Sequence, residues 1–114
     1  MAYNQVLADR IAEKLIDKGI LFIEKKMMGG LAFMINNKMC IGVIKEDMML
    51  RVMNEHYEKM LEMPHCRQMD FTGKPLKNFL FVEQEGLIKA IEFENCINLG
   101  IEFGQLGVLK TKKN

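Results

Sequence analysis

Tryptophan is absent from this sequence, and proline (2), tyrosine (2), histidine (2) and cysteine (3) are scarce among its 114 residues. With no Trp and few other aromatics, the chain lacks the stacking platform that single-strand nucleic-acid binders use. It also lacks an excess of charge of either sign: the net charge is +1, where a nucleic-acid-binding domain would be strongly basic. The cysteines, Cys40, Cys66 and Cys96, are odd in number and widely spaced, with no C-x-x-C pair. That spacing excludes a zinc ribbon and a thioredoxin-type site. Free thiols fit a reducing compartment, so a cytoplasmic location is expected. No apolar run approaches the ~18 residues of a membrane span. Asp9 and Arg10 interrupt the only stretch near the N-terminus where a secretory core would sit. Low-complexity tracts and internal repeats are missing, so residues 1–114 read as one domain.

What is present is a periodic pattern that changes along the chain. Leu7, Ile11 and Leu15 recur every four residues behind Asn4, and Gly19 follows. This predicts a capped amphipathic helix over 4–18. From residue 20 the period shortens. Strands are expected at 22–28, 31–35, 38–44 and 48–53, separated by the turn signals Gly29-Gly30, Asn36-Asn37 and Lys45-Glu46-Asp47. Connections this short demand an antiparallel meander. Asn54 is read as the cap of a short helix that Pro64 ends. Residues 64–78, with both prolines, Gly73 and a charge of about +2, read as a long loop. A fifth strand is expected at 79–83. A last helix is expected at 87–103, with Ala90, Phe93, Ile97 and Ile101 on its inner stripe and Leu87 and Ile91 beside it. The tail, Lys110 to Asn114, reads as a solvated end. The fold class is α+β: an antiparallel sheet of about five strands with three helices on one face.

Several residues invite a chemical reading. Gly29-Gly30 precedes a strand rather than a helix N-terminus, so a turn is favoured over a phosphate loop. Lys25 and Lys26 alternate sides of their strand. Arg51, flanked by Leu50 and Val52, is suited to bidentate pairing with a carboxylate, and Asp70 is the proposed partner. Lys26, Arg51 and Asp70 are expected to cluster near the Gly29-Gly30 turn, as a salt bridge or as an anion- or partner-binding site. His65 and Cys66 are adjacent in sequence, which rarely gives the geometry of nucleophilic catalysis. His56 adds a third potential ligand at no zinc spacing. No catalytic set, metal set or cofactor fingerprint is recognised. The chain holds 11 methionines, most in or beside the meander. Alternation prevents all of them from facing one core, so some must lie on the second face of the sheet. There they would either pack or form an adaptable surface for a partner helix or a second copy of the chain. Arg67, Lys74 and Lys77 around Phe71 form only a weak nucleic-acid footprint.

The stretch Lys25-Lys26-Met27-Met28-Gly29-Gly30-Leu31-Ala32-Phe33-Met34 resembles the signature of the TfoX N-terminal domain family. Lys38-Met39-Cys40, Gly42-Val43, Leu50-Arg51-Val52 and Met69-Asp70-Phe71-Thr72-Gly73-Lys74-Pro75 resemble further pieces of it, as does the opening Met1-Ala2-Tyr3-Asn4. Met28 stands where the family usually has Phe. The resemblance implies an antiparallel sheet flanked by helices, similar in shape to secretion chaperones. It also implies a link to the TfoX/Sxy competence regulators, coactivators that work beside a DNA-bound activator. Those regulators carry a second, C-terminal domain, which these 114 residues do not include. The expectation is a non-enzymatic binding module that contacts protein, with Lys25, Lys26, Gly29, Gly30, Arg51, Asp70, Phe71 and Gly73 as its candidate surface. The alternatives are a small enzyme or anion-binding protein using Lys26, Arg51 and Asp70, and a chaperone-like scaffold.

Overall fold

The computed structural model describes residues 3–27, 29–70 and 75–107, with the backbone alone for Asp70, Pro75 and Leu76. The expected N-terminal helix is present as α1 (Gln5–Asp17), with Leu7, Ala8, Ile11 and Leu15 buried. Asn4 caps it: its side-chain oxygen accepts a 3.1 Å bond from the Leu7 amide. The Asn4 amide donates to the Lys45 carbonyl at 2.7 Å, tying the start of the helix to a hairpin turn.

Four strands follow: β1 (Ile23–Met27), β2 (Gly30–Ile35), β3 (Lys38–Ile44) and β4 (Asp47–Arg51). Asn36 and Asn37 both hold positive φ, as a two-residue hairpin turn requires, and Gly29 at φ 75° does the same between β1 and β2. A bulge separates Phe33 from Met34 in the β2–β3 pairing, where Phe33 faces Ile41 and Met34 faces Met39. Cys40 is the extra residue, and its side chain joins Ile41 on the helix side of the sheet.

Three expectations are corrected here. The helix α2 spans Asn54–Leu61 with Met53, not Asn54, at the cap and no side-chain cap bond. The Asn54 side chain instead accepts from Asn78 Nδ2 at 2.8 Å. The segment read as a loop contains β5 (Cys66–Asp70), and β6 (Pro75–Val82) begins earlier than expected. β5 lies at the sheet edge, where charged and polar residues such as Arg67 and Gln68 are common, and these interrupt the apolar alternation in the sequence. The sheet therefore has six antiparallel strands, in the order β1-β2-β3-β4-β6-β5. Finally, the last helix, α3 (Ala90–Leu106), is preceded by a 3-10 turn at Gln84–Gly86 and starts later than expected. Ala90 and Ile91 are exposed, and the inner stripe runs through Phe93, Cys96, Ile97, Gly100, Ile101 and Gly104.

All three helices contribute to one core on one face of the sheet. Leu15, Ile11, Tyr57, Phe93 and Ile97 meet Phe33, Ile41, Met48, Leu50 and Leu80 there. α3 comes unusually close to the strands. A Cβ on Gly100 would collide with Ile41 Cγ1, and one on Gly104 would lie 2.6 Å from Ile35 Cγ2. Asn36 Nδ2 and Lys38 Nζ each donate to the Gly104 carbonyl at 2.9 Å, locking the C-terminal part of α3 to the β2–β3 turn. Among the described residues no helix is long and apolar enough to cross a membrane.

Candidate functional site

The other face of the sheet is where the methionines concentrate. Direct cross-strand partners share a face, so the register reads that face strand by strand. It carries Ile23, Lys25 and Met27 from β1, Ala32 and Met34 from β2, and Met39, Gly42 and Ile44 from β3. Asp47, Met49 and Arg51 come from β4, and Phe79 and Phe81 from β6. Ala32, Met49 and Met69 are buried at its centre, with Met27, Met34, Met39, Ile44, Phe79 and Phe81 half-buried around them. Every residue of this second cluster belongs to a strand; among the described elements no helix packs on it. Met48, by contrast, lies in the main core and is fully buried. Alternation along the strands thus divides the methionines between a core role and a surface role.

Two cations are held on aromatic rings of this face. Arg67 stands 4.7 Å from the Phe81 centroid and is paired with Asp47 at 2.7 Å and Glu83 at 3.3 Å. Arg51 lies between Phe79, at 4.6 Å, and Phe103 of α3, at 4.3 Å, where the two faces of the sheet meet. Its Nε is buried with no hydrogen-bond partner among the described residues. Burial pushes the pKa of Arg51 below its ordinary value. Nearby Cys40 is pushed up to about 11, because its burial outweighs the hydrogen bond to Ile35 and the field of Arg51.

The expected Lys26–Arg51–Asp70 cluster does not form. Lys26 is on the edge strand β1 and Asp70 on the opposite edge strand β5, five inter-strand spacings or about 24 Å apart. Gly29 and Gly30 share an end of the sheet with Asp47, whereas Arg51 is at the other end. Arg51 on β4 faces Phe79 on β6, and β6 lies between β4 and β5, the strand that carries Asp70. Chain order cannot reveal this, because β6 inserts between β4 and β5. Lys25 and Lys26 are both exposed, Lys25 on the methionine face and Lys26 on the other. Gly30 is needed for packing, since a Cβ there would meet the Val43 carbonyl. Phe71 and Gly73 lie outside the described residues.

Sequence reading missed a cavity of about 770 Å³ between α2, the start of β5 and α3. Met60, Met63, Pro64 and Leu99 line it, with Cys66 and Cys96. Burial raises both thiols, Cys96 to about 12, so they remain protonated at neutral pH. His56 and His65 do not converge on Cys66. His56 Nε2 lies 3.1 Å from Glu102, and His65 groups with Glu83 and Glu85, its ligand atoms within 4.8 Å of theirs. Glu55, His56 and Glu102 form a second such group. The signals for both were invisible because each group joins separate elements.

Neither the curated proteins nor the solved structures contain a match to this chain. The sequence model of the TfoX N-terminal domain matches residues 21–104, from just before β1 through most of α3. That span includes the whole sheet, Gly29, Gly30 and Arg51, so the chain belongs to the TfoX N-terminal domain family.

Proposed function

We propose that this chain is a non-catalytic binding module that works by protein–protein contact, as an accessory regulator of transcription in the cytoplasm. The observation that supports it is the methionine-rich sheet face with no helix of the described chain packed upon it. Thioether side chains are flexible and polarizable, so such a face adapts to a partner without a preformed pocket. Family membership supports the regulatory setting, and three free cysteines suit a reducing one. The test is a photo-crosslinking residue placed at Met34 and, as a control, at the exposed Asp17 on α1. A nuclease-resistant protein adduct in native cells from Met34 but not Asp17 is expected. Equal adducts from both, none from Met34, or an adduct lost on nuclease treatment would refute the reading.

A second reading is favoured by the cavity beside α2. Its volume falls in the range of small-molecule sites, and its lining sets the apolar Met60, Met63 and Leu99 beside the polar Lys89, Glu92 and Glu102. Its protonated thiols argue for binding rather than nucleophilic chemistry. Under that reading Leu99→Trp, which fills the cavity, abolishes function while substitutions at Met34 and Met39 leave it intact.

A further inference from the structure

The chain has three arginines, and two of them are satisfied. Arg10 donates to the Leu87 carbonyl at 2.8 Å, and Arg67 pairs with Asp47 and Glu83. Arg51 makes no hydrogen bond or ion pair among the described residues, and its Nε is buried and orphaned. Two rings nevertheless hold its guanidinium, Phe79 from β6 and Phe103 from α3. A guanidinium clamped in this way has already lost its rotamer freedom. Its planar fork is matched to a carboxylate, and forming that pair costs little further ordering. Leaving such a group unpaired carries a desolvation cost that a structural role does not require, because Met or Leu would fill the same space between the rings.

The surroundings say what kind of molecule would bring the carboxylate. Phe79 belongs to the methionine face, on which Met34 of β2 and Met39 of β3 are half-buried. A second cation with no partner among the described residues, Lys25, is exposed on the same face opposite Ala32. The register puts Lys25 three strands across and two residues along from Arg51, about 16 Å away. That distance is about three turns of helix. Resting on the reading of this face as a protein-docking surface, we propose that Arg51 is its anion anchor. It takes an Asp or Glu carboxylate from an acidic amphipathic segment whose apolar side chains lie on Met27, Met34 and Met39, with a second acid directed at Lys25.

The test is selection of 16-residue peptides from a displayed library on the folded full chain, followed by affinity measurement and NMR of ¹³C-labelled methionine methyls. Selected peptides are expected to be rich in Asp or Glu and in Leu, Met or Phe, and to shift the Met34 and Met39 methyls. They should lose at least about tenfold in affinity for Arg51→Gln, with partial recovery in Arg51→Lys, which keeps the charge but not the fork. If Arg51→Gln fails to fold, Lys25→Glu on the exposed edge carries the test, and a loss of at least about threefold is expected. Peptides that shift those methyls without acidic enrichment, or that bind Arg51→Gln or a folded Lys25→Glu as tightly as the native chain, overturn the anchor and leave the docking face standing. Peptides that leave those methyls unmoved, or no binders at all, overturn both. A 20-nucleotide single strand displacing the peptides at the same methyls would overturn the commitment to a protein segment.

Discussion

The guanidinium of Arg51 on β4 lies 4.3 Å from the centroid of the Phe103 ring on α3, which joins the edge of the open sheet face to the helix that covers the other. Cation–ring contacts at half-exposed sites give about 0.5–1 kcal/mol each. Partial desolvation of an unpaired guanidinium offsets a similar amount. Arg51→Met is therefore expected to change unfolding free energy by less than about 1 kcal/mol in urea titration. A loss above about 2 kcal/mol would make Arg51 a structural residue.

The methionines should separate by face. Met48→Ala removes a fully buried side chain from the main core and is expected to cost about 2–5 kcal/mol. Met34→Ser, on the half-buried open face, should cost less than about 1.5 kcal/mol. Comparable losses at the two positions would mean that the second face is a core in its own right.

Gly104→Ala tests the close approach of α3. Alanine gains about 1 kcal/mol of helix propensity over glycine. Against this, its Cβ would sit 2.6 Å from Ile35 Cγ2, within an overpacked contact that costs about 1–3 kcal/mol. Net destabilisation is expected, visible as a lower urea midpoint with an unchanged slope.

Asn78 holds φ at 77° and donates through Nδ2 to the Val52 carbonyl at 2.9 Å and to Asn54 Oδ1 at 2.8 Å. Asn78→Gly relieves the backbone but loses both bonds; Asn78→Ala loses the bonds and keeps a Cβ where the left-handed conformation disfavours it. Alanine should be the more destabilising of the two by about 1 kcal/mol, measured by thermal or urea unfolding.

The buried thiols set an alkaline limit. Burial raises Cys40 from 9.0 to about 11 and Cys96 from 9.0 to about 12. The unfolded chain thus releases these protons at lower pH than the native one. Their contribution is complete below pH 9.0 and falls as pH rises from there towards about 11 for Cys40 and about 12 for Cys96. Each thiol contributes a slope of at most about 1.4 kcal/mol per pH unit. Urea unfolding between pH 8 and 11 should show that decline, reduced in Cys96→Val. A native chain whose alkaline slope equals that of Cys96→Val would contradict it.

Local signals were sufficient where short-range physics decides the structure. Asn4 as cap, the period of Leu7, Ile11 and Leu15, and the Asn36-Asn37 turn each follow from the conformational demands of a few neighbouring residues. The TfoX N-terminal signature was legible for the same reason, since it runs through contiguous strands. β5 is hidden because the adjacent polar residues Arg67 and Gln68, one on each face of this edge strand, break the apolar alternation.

By itself, then, the sequence determined an α+β chain whose helices have one apolar side and whose methionines must divide between two faces of a sheet. Only the tertiary structure decided which residues meet. The insertion of β6 between β4 and β5 moved Asp70 away from Arg51, and the approach of α3 supplied Phe103 in its place. Strand order is set by packing between segments distant along the chain, and no local pattern of side chains encodes it.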